Sequence, residues 1–378
     1  MKIKVLFCVK HSFYDVKGGM QIQILKTRKY LEILGVMCDI TTSSLGVNYN
    51  DYDIIHLTDL TWVYDNQNYL KEIDRQQFKG KKILSTIYWP FDDYALNGAP
   101  PIQRLIFKIF GINGFELVKS IGKFLLNRKR VYLNGIKKTY LQNQRDIAKE
   151  IDWFLPNAEL EMNALNTRLG LNYKNYSIAN NSIDLSVFDE ILSKNNIFKN
   201  DNLITFVARI DSRKNQLNFL KAMINTNYEI RFIGNAGPNS SSYLKKLKKL
   251  AAKRGNVKFI SHIPQEEVFL HMMEAKVNVL TSWVETPGLV SLEAAYAKCN
   301  IVVSDKGTVR DYFKDYAFYC EPDNIEDIKT KIQEAMNSDF NEEFLNLIKT
   351  EYTWNKTALQ TISAYEKCLS NQNKTVKK

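Results

Sequence analysis

The stretch from Val277 to Ala295 constrains the fold of this chain more than any other. Val277-Asn278-Val279-Leu280 is a short apolar run of the kind buried in a parallel sheet. Leu292, Ala295 and Tyr296 then recur at helical spacing. Between them the chain turns from Glu285 to Gly288. A strand that feeds a helix through a tight turn is the unit of an open α/β sheet, and ligands of such sheets bind at the carboxyl ends of the strands. Gly288 permits close backbone approach. The N–H groups of Gly288, Leu289 and Val290, at the start of a helix, are a seat for phosphate.

Two carboxylates, Glu285 and Glu293, bracket that seat with seven residues between them. An anion does not attract carboxylates, but sugar hydroxyls do, because a carboxylate only accepts hydrogen bonds. A ligand with a diphosphate in the middle and a sugar at each end satisfies both facts. That describes a nucleotide-sugar. The plain alternative is a solvated glutamate in a loop and another on a helix face.

The strand-then-helix pattern recurs along the chain. Ile3 to Val9 leads through His11–Gly19 into a helix with Met20, Ile24, Leu31 and Leu34 on one face, ending at Gly35. Val36–Thr41, Asp53–Leu57, Lys82–Ile87 and Asp152–Pro156 read as further strands. Beyond a polar linker at 185–200, Leu203–Ala208, Glu229–Ile233, Val257–Ile260 and Asn300–Ser304 repeat the pattern. With 378 residues the chain is long enough for two such domains. Arg209 ends one strand and Lys214 opens the next helix, where two cations can grip a diphosphate. Lys82–Ile87 empties into Tyr88-Trp89-Pro90-Phe91-Asp92-Asp93-Tyr94. There Asp92 or Asp93 would orient or deprotonate an acceptor hydroxyl, or else cap a helix. Asp51-Tyr52-Asp53 spells a metal-binding D-x-D, but it precedes its strand, whereas a metal site belongs after one. His56, inside a strand, reads as a packed, hydrogen-bonded histidine.

The net charge is +11. Residues 101–150 hold eleven Lys and Arg against three acids, a balance of +8, interleaved with Leu105, Ile106, Phe107, Ile109, Phe110, Leu117, Ile121 and Phe124–Leu126. The mixture suggests an amphipathic helix lying on an anionic membrane. A helical pair with a basic outer face is the alternative, and a nucleic-acid surface is a third reading without a recognition motif. Five scattered cysteines without a C-x-x-C pair argue for reduced thiols and against a zinc site, which points to the cytoplasm. No apolar run approaches the length of a membrane span.

The Glu285/Glu293 pair resembles the E-x7-E signature of the retaining glycosyltransferases of family 4, which have the GT-B fold. Arg209 and Lys214 match that family's R-x4-K, with Asn215 where a glycine usually follows. Gly234-Asn235-Ala236-Gly237-Pro238 is similar to its G-x-G-P loop, lengthened by one residue. Asn181-Ser182-Ile183-Asp184 resembles N-G-V-D, and Gly307–Asp311 the loop often written G-G-x-x-E. The resemblance implies two Rossmann-like domains facing a central cleft: an acceptor domain, 1–188, a donor domain, 200–352, and a C-terminal helix and tail, 353–378, packing back on the first. It implies that Glu285 contacts the transferred sugar, Glu293 the ribose, and Arg209 and Lys214 the leaving diphosphate. Ile263 would meet the base through its main chain, and Gly19 and Gly234 would approach the donor. Tyr88 stands where the family often has a histidine on the acceptor side. The expected partners are a UDP-, GDP- or ADP-sugar, a glycan or lipid-linked acceptor, and the inner face of the cell membrane, with no nucleic acid, cofactor or metal. Bacterial surface polysaccharide or lipopolysaccharide synthesis fits these partners. A nucleotide-sugar epimerase of the same fold, and a non-enzymatic binder of anionic polymers, are the rival readings.

Overall fold

A computed structural model of the chain describes residues 3–15, 18–127, 138–237 and 240–370. The basic residues Arg128, Lys129, Arg130 and Lys137, Pro238, and the tail beyond Ser370 lie outside that set, as do the side chains of Lys123 and Phe124–Leu126. Among the described residues the strands form two sheets with parallel pairing throughout.

The first sheet holds β1 (Lys4–Cys8), β2 (Met37–Thr41), β3 (Ile54–Thr58), β4 (Lys81–Ser85) and β5 (Trp153–Leu155), in the order β2-β1-β3-β4-β5. Side chains alternate across a strand, so each strand feeds two cores. Leu6, Cys8, Ile55, Leu57, Leu84 and Phe154 enter one cluster with Tyr69, Leu70, Ile73 and Met162. Val5, Phe7, Ile54, Ile83, Trp153 and Leu155 enter the other with Ile24, Leu31, Ala358, Ala364 and Tyr365. Those last three lie on the helix Trp354–Ser370, so the end of the chain is built into the core of the first sheet.

The second sheet holds β6 (Asn200–Val207), β7 (Glu229–Ile233), β8 (Val257–Ile260), β9 (Ala275–Leu280), β10 (Asn300–Ser304) and β11 (Ala317–Cys320), in the order β11-β10-β9-β6-β7-β8. From β6 the chain moves outward to β7 and β8. It then returns to the other side of β6 for β9. The loops after β6 and β9 therefore diverge, which opens a crevice at their carboxyl ends. Ile204 pairs with Val277 and Thr205 with Asn278 across this switch point.

Contacts gather the described residues into two units. One takes the chain up to Pro90, Leu105–Asn181 and the chain from Trp354; the other takes Phe91–Arg104 and Ser182–Thr353. Phe91–Arg104, inside the range expected for the first domain, thus groups with the second sheet.

His56 is buried on β3, stacked on Phe7. Its Nδ1 lies 2.7 Å from the Tyr365 hydroxyl and its Nε2 2.8 Å from Ser85 Oγ. Burial pushes its pKa from 6.5 down to about 3. The unfolded chain therefore takes up a proton on this histidine below pH 6.5 that the folded chain does not, and stability falls as the pH drops. Between pH 7 and pH 5 this loss amounts to about 2 kcal/mol. Denaturant unfolding should show that much extra acid sensitivity in the wild type relative to His56→Gln; equal pH dependence in both would contradict it.

Candidate functional site

The loop after β6 is shaped by an aspartate the sequence reading passed over. Asp211 Oδ1 accepts the backbone N–H of Arg213 and of Lys214, both at 3.1 Å, and Oδ2 accepts Arg209 Nε at 2.8 Å. Aspartate at a turn bonding the backbone two and three residues on is a recognisable turn former, which is the signal that could have found it. The result fixes both basic residues: Arg209 half-exposed, Lys214 turned inward.

Asn215 follows at φ 64°, the left-handed region, and caps the helix Gln216–Ala222. Its Nδ2 donates to the Thr281 carbonyl at 3.0 Å and the Pro322 carbonyl at 2.6 Å. Asparagine tolerates this conformation better than other side chains, so it supplies what a glycine would and adds two cross-links.

The loop after β9 meets the first loop directly. The Trp283 N–H donates to the Arg213 carbonyl at 2.9 Å. Glu285, 8 % exposed, places its carboxylate on Lys214 Nζ. Burial lowers the Lys214 pKa, and Glu285 opposes that shift. The Thr286–Pro287 peptide is cis. Gly288, at φ 82°, lies 3.6 Å from Glu285 Oε2, measured from where a Cβ would stand. It leads into the helix Leu289–Tyr296, whose first N–H groups, including those of Leu289 and Val290, have no partner within the helix.

Glu293 lies further along that helix and is half-buried. Gln265 Nε2 donates to its Oε1 at 3.0 Å. Burial pushes the Glu293 carboxyl up to about 7, against the effect of that hydrogen bond. Gln265 opens the helix Gln265–Glu274, just past Ile263, which is half-buried after β8. No spacing rule pointed to Gln265; its role depends on two helices lying side by side. Gly234 ends β7 against the Ala208 carbonyl, beside the Arg209 loop.

A third loop, after β10, supports Glu285 from behind. The Thr308 N–H donates to the Glu285 carbonyl at 3.0 Å. A Cβ on Gly307, at φ 87°, would overlap that same carbonyl oxygen. The second unit therefore brings together Lys214 and Glu285, places Arg209 on the same loop, and sets Glu293 on the helix that follows.

The remaining candidates sit elsewhere. Gly19 is exposed at the start of the helix Gly19–Ile33, after β1 in the first unit, and a Cβ on it would meet nothing within 4 Å. Tyr88 is 4 % exposed and belongs to the first unit's core. Asp93 belongs to the second unit, 3.1 Å from Lys306 Nζ, and Asp92 precedes it there, half-buried.

Residues 187–354 match the family described as "Glycosyl transferases group 1". This part of the chain is similar to a glycosyl transferases group 1 domain. The capsular polysaccharide biosynthesis glycosyltransferase CapH of Staphylococcus aureus is 32% identical over 139 residues, which is 33% of this chain and 38% of that protein. Among solved structures, sucrose-phosphate synthase from Thermosynechococcus elongatus superposes with a TM-score of 0.73 at 14% identity, over 98% of this chain and 100% of the other. Anabaena HepE in complex with UDP superposes with a TM-score of 0.64 at 13% identity, over 97% and 100%. At such identities these likenesses speak to the fold, which is GT-B: two Rossmann-like domains, each around a parallel sheet.

The matched stretch includes all three loops around Glu285, and Gly307 is where the third loop meets the Glu285 backbone. Gly307→Ala should destabilise the second unit by about 1–3 kcal/mol, through strain at positive φ and displacement of the Glu285 backbone. Gly46→Ala, at φ 81° with no neighbour within 4 Å, is the control and should lose less. Equal losses in denaturant titrations would show that the contact with Glu285 does not matter.

Proposed function

We propose that this protein is a retaining glycosyltransferase. It would move a sugar from a nucleotide-sugar to a hydroxyl of a glycan or lipid-linked acceptor. The observation that carries the reading is the meeting of Lys214 and Glu285 at the switch point of the second sheet, with Glu293 on the helix that follows. Cations suited to a diphosphate and carboxylates suited to sugar hydroxyls lie on these loops and on the helix after them. The UDP and UDP-glucose in the HepE structures support a nucleotide-sugar donor of the UDP, GDP or ADP type. The likeness to CapH supports a surface-polysaccharide acceptor.

In this mechanism the bond between the anomeric carbon and the diphosphate oxygen breaks, and a bond from that carbon to the acceptor oxygen forms on the same face. Arg209, Lys214 and the N–H groups of Gly288, Leu289 and Val290 stabilise the charge gathering on the leaving diphosphate. The leaving phosphate takes the acceptor's proton, so no strong protein base and no metal is needed. Glu285 positions the sugar and Glu293 the ribose, while the main chain at Ile263 meets the base. Gly19 and Gly234 leave room for the donor.

An anionic membrane surface on the cytoplasmic side is the proposed location. Leu105, Ile109, Phe110, Leu117, Val118 and Ile121 are exposed along Pro101–Asn127, a helical stretch broken at Gly111 (φ 61°), among Arg104, Lys108 and Lys119. Apolar side chains among basic ones suit the headgroup boundary of an anionic bilayer. No helix of the described residues is long and apolar enough to cross a membrane.

Calorimetry with UDP, GDP, ADP and their glucose esters tests the donor site. One nucleotide should bind selectively. If the ionised form of Glu293 accepts the ribose hydroxyls, affinity should rise about tenfold from pH 6 to pH 8, because the carboxyl titrates near 7. Glu293→Gln should bind more weakly with a flat pH profile; tight binding by the variant would remove the role. Vesicle flotation tests the location: the protein should float with anionic but not neutral lipid, and indifference to lipid charge would exclude it.

A further inference from the structure

Phe91–Gly98 follows the strand that, by the sequence reading, faces the acceptor, yet it is fastened to the loops around Glu285. It has three anchors, one on each loop. The Tyr94 hydroxyl lies 2.8 Å from Ser212 Oγ, midway between Arg209 and Lys214. The backbone at Gly98 rests on the Trp283 indole so closely that a Cβ would overlap the ring. Trp283 is two residues before Glu285. Asp93 Oδ2 lies 3.1 Å from Lys306 Nζ, and Lys306 adjoins Gly307, which backs the Glu285 carbonyl.

The segment is unusual in itself. Tyr94–Gly98 is a π-helical turn, a form that occurs mostly as single turns and frequently at functional sites. Asn97 Nδ2 donates to Asp93 Oδ1 at 2.9 Å, so the turn also holds the carboxylate that reaches Lys306. Asp93 keeps part of its surface open, as does Phe91.

We infer that Phe91–Gly98 belongs to the donor site and discriminates the donor's sugar. The three loops that set Glu285, the group assigned to the transferred sugar, are the loops that set this strap. A sugar seated on Glu285 meets the strap, whereas the diphosphate and nucleoside extend toward Arg209 and Glu293. Tyr94 and Asp93 are thus specificity-determining residues for the donor and not acceptor-side groups. The inference rests on the nucleotide-sugar reading above.

The test compares bare nucleotides with their sugar esters on the full-length protein. Calorimetry with UDP, GDP, ADP and their glucose and galactose esters gives, for the wild type, the gain in affinity that the sugar brings. In Tyr94→Phe and Asp93→Asn that gain should fall about fivefold or more, the worth of one hydrogen bond, while affinity for the bare nucleotide stays within about twofold. Loss of affinity for both ligands alike would mark the strap as a clamp on the loops and overturn the inference. So would an unchanged gain in both variants, with melting temperatures showing them folded. A wild type that binds none of these ligands would instead remove the donor-site reading itself.

Discussion

The ion pair between Lys214 and Glu285 is the interaction on which the second unit's site depends. Each group is largely removed from water, and a lone buried charge costs several kcal/mol. Each is therefore held where the other can reach it. Because they come from loops after β6 and β9, the pair ties together the two sides of the switch point. Asp211 aims one partner and Gly307 with Thr308 supports the backbone of the other. Both charges are thus oriented by the fold itself.

The first unit manages buried polarity differently. Glu161 is fully buried and bridges the chain after β4 to the chain after β5, accepting the N–H of Tyr88 at 2.8 Å and of Asn157 at 2.9 Å, with Thr86 Oγ1 as a third donor. Burial raises its carboxyl to about 7 despite these bonds. His56 is kept neutral by burial on the other face of the sheet, with Ser85 and Tyr365 as its hydrogen-bond partners. These groups serve the sheet: each satisfies strand-end or core polar atoms that a parallel sheet buried on both faces leaves without water. Tyr88 shares that fate, which is why an aromatic at a strand's carboxyl end became core.

Much of the architecture was legible because it rests on local patterns. Apolar runs of four to six residues, glycine-marked turns and helical periodicity repeat along the chain, and each is a nearest-neighbour effect. The E-x7-E and R-x4-K spacings were equally readable, since each lies within one loop and the helix that follows. Asn215 in place of glycine read as a departure; its left-handed backbone and two cross-links show the position's demand being met by another residue. Asp211 was visible as a turn former and was passed over. Gln265 was not visible at all, because nothing in its own neighbourhood refers to Glu293.

The sequence by itself determined two parallel-sheet α/β domains, the residues that line the second domain's strand ends, and the placement of His56 within a strand. Periodicity and turn chemistry suffice for these, because strands, turns and helices answer to residues a few positions away. Only the tertiary structure decided which strand ends become neighbours. The return of β9 to the side of β6 opposite β7 puts Lys214 on Glu285, seventy-one positions away. It also decided that Phe91–Arg104 groups with the second sheet although the chain around it builds the first. Such pairings are set by packing and strand order, and no local pattern records them.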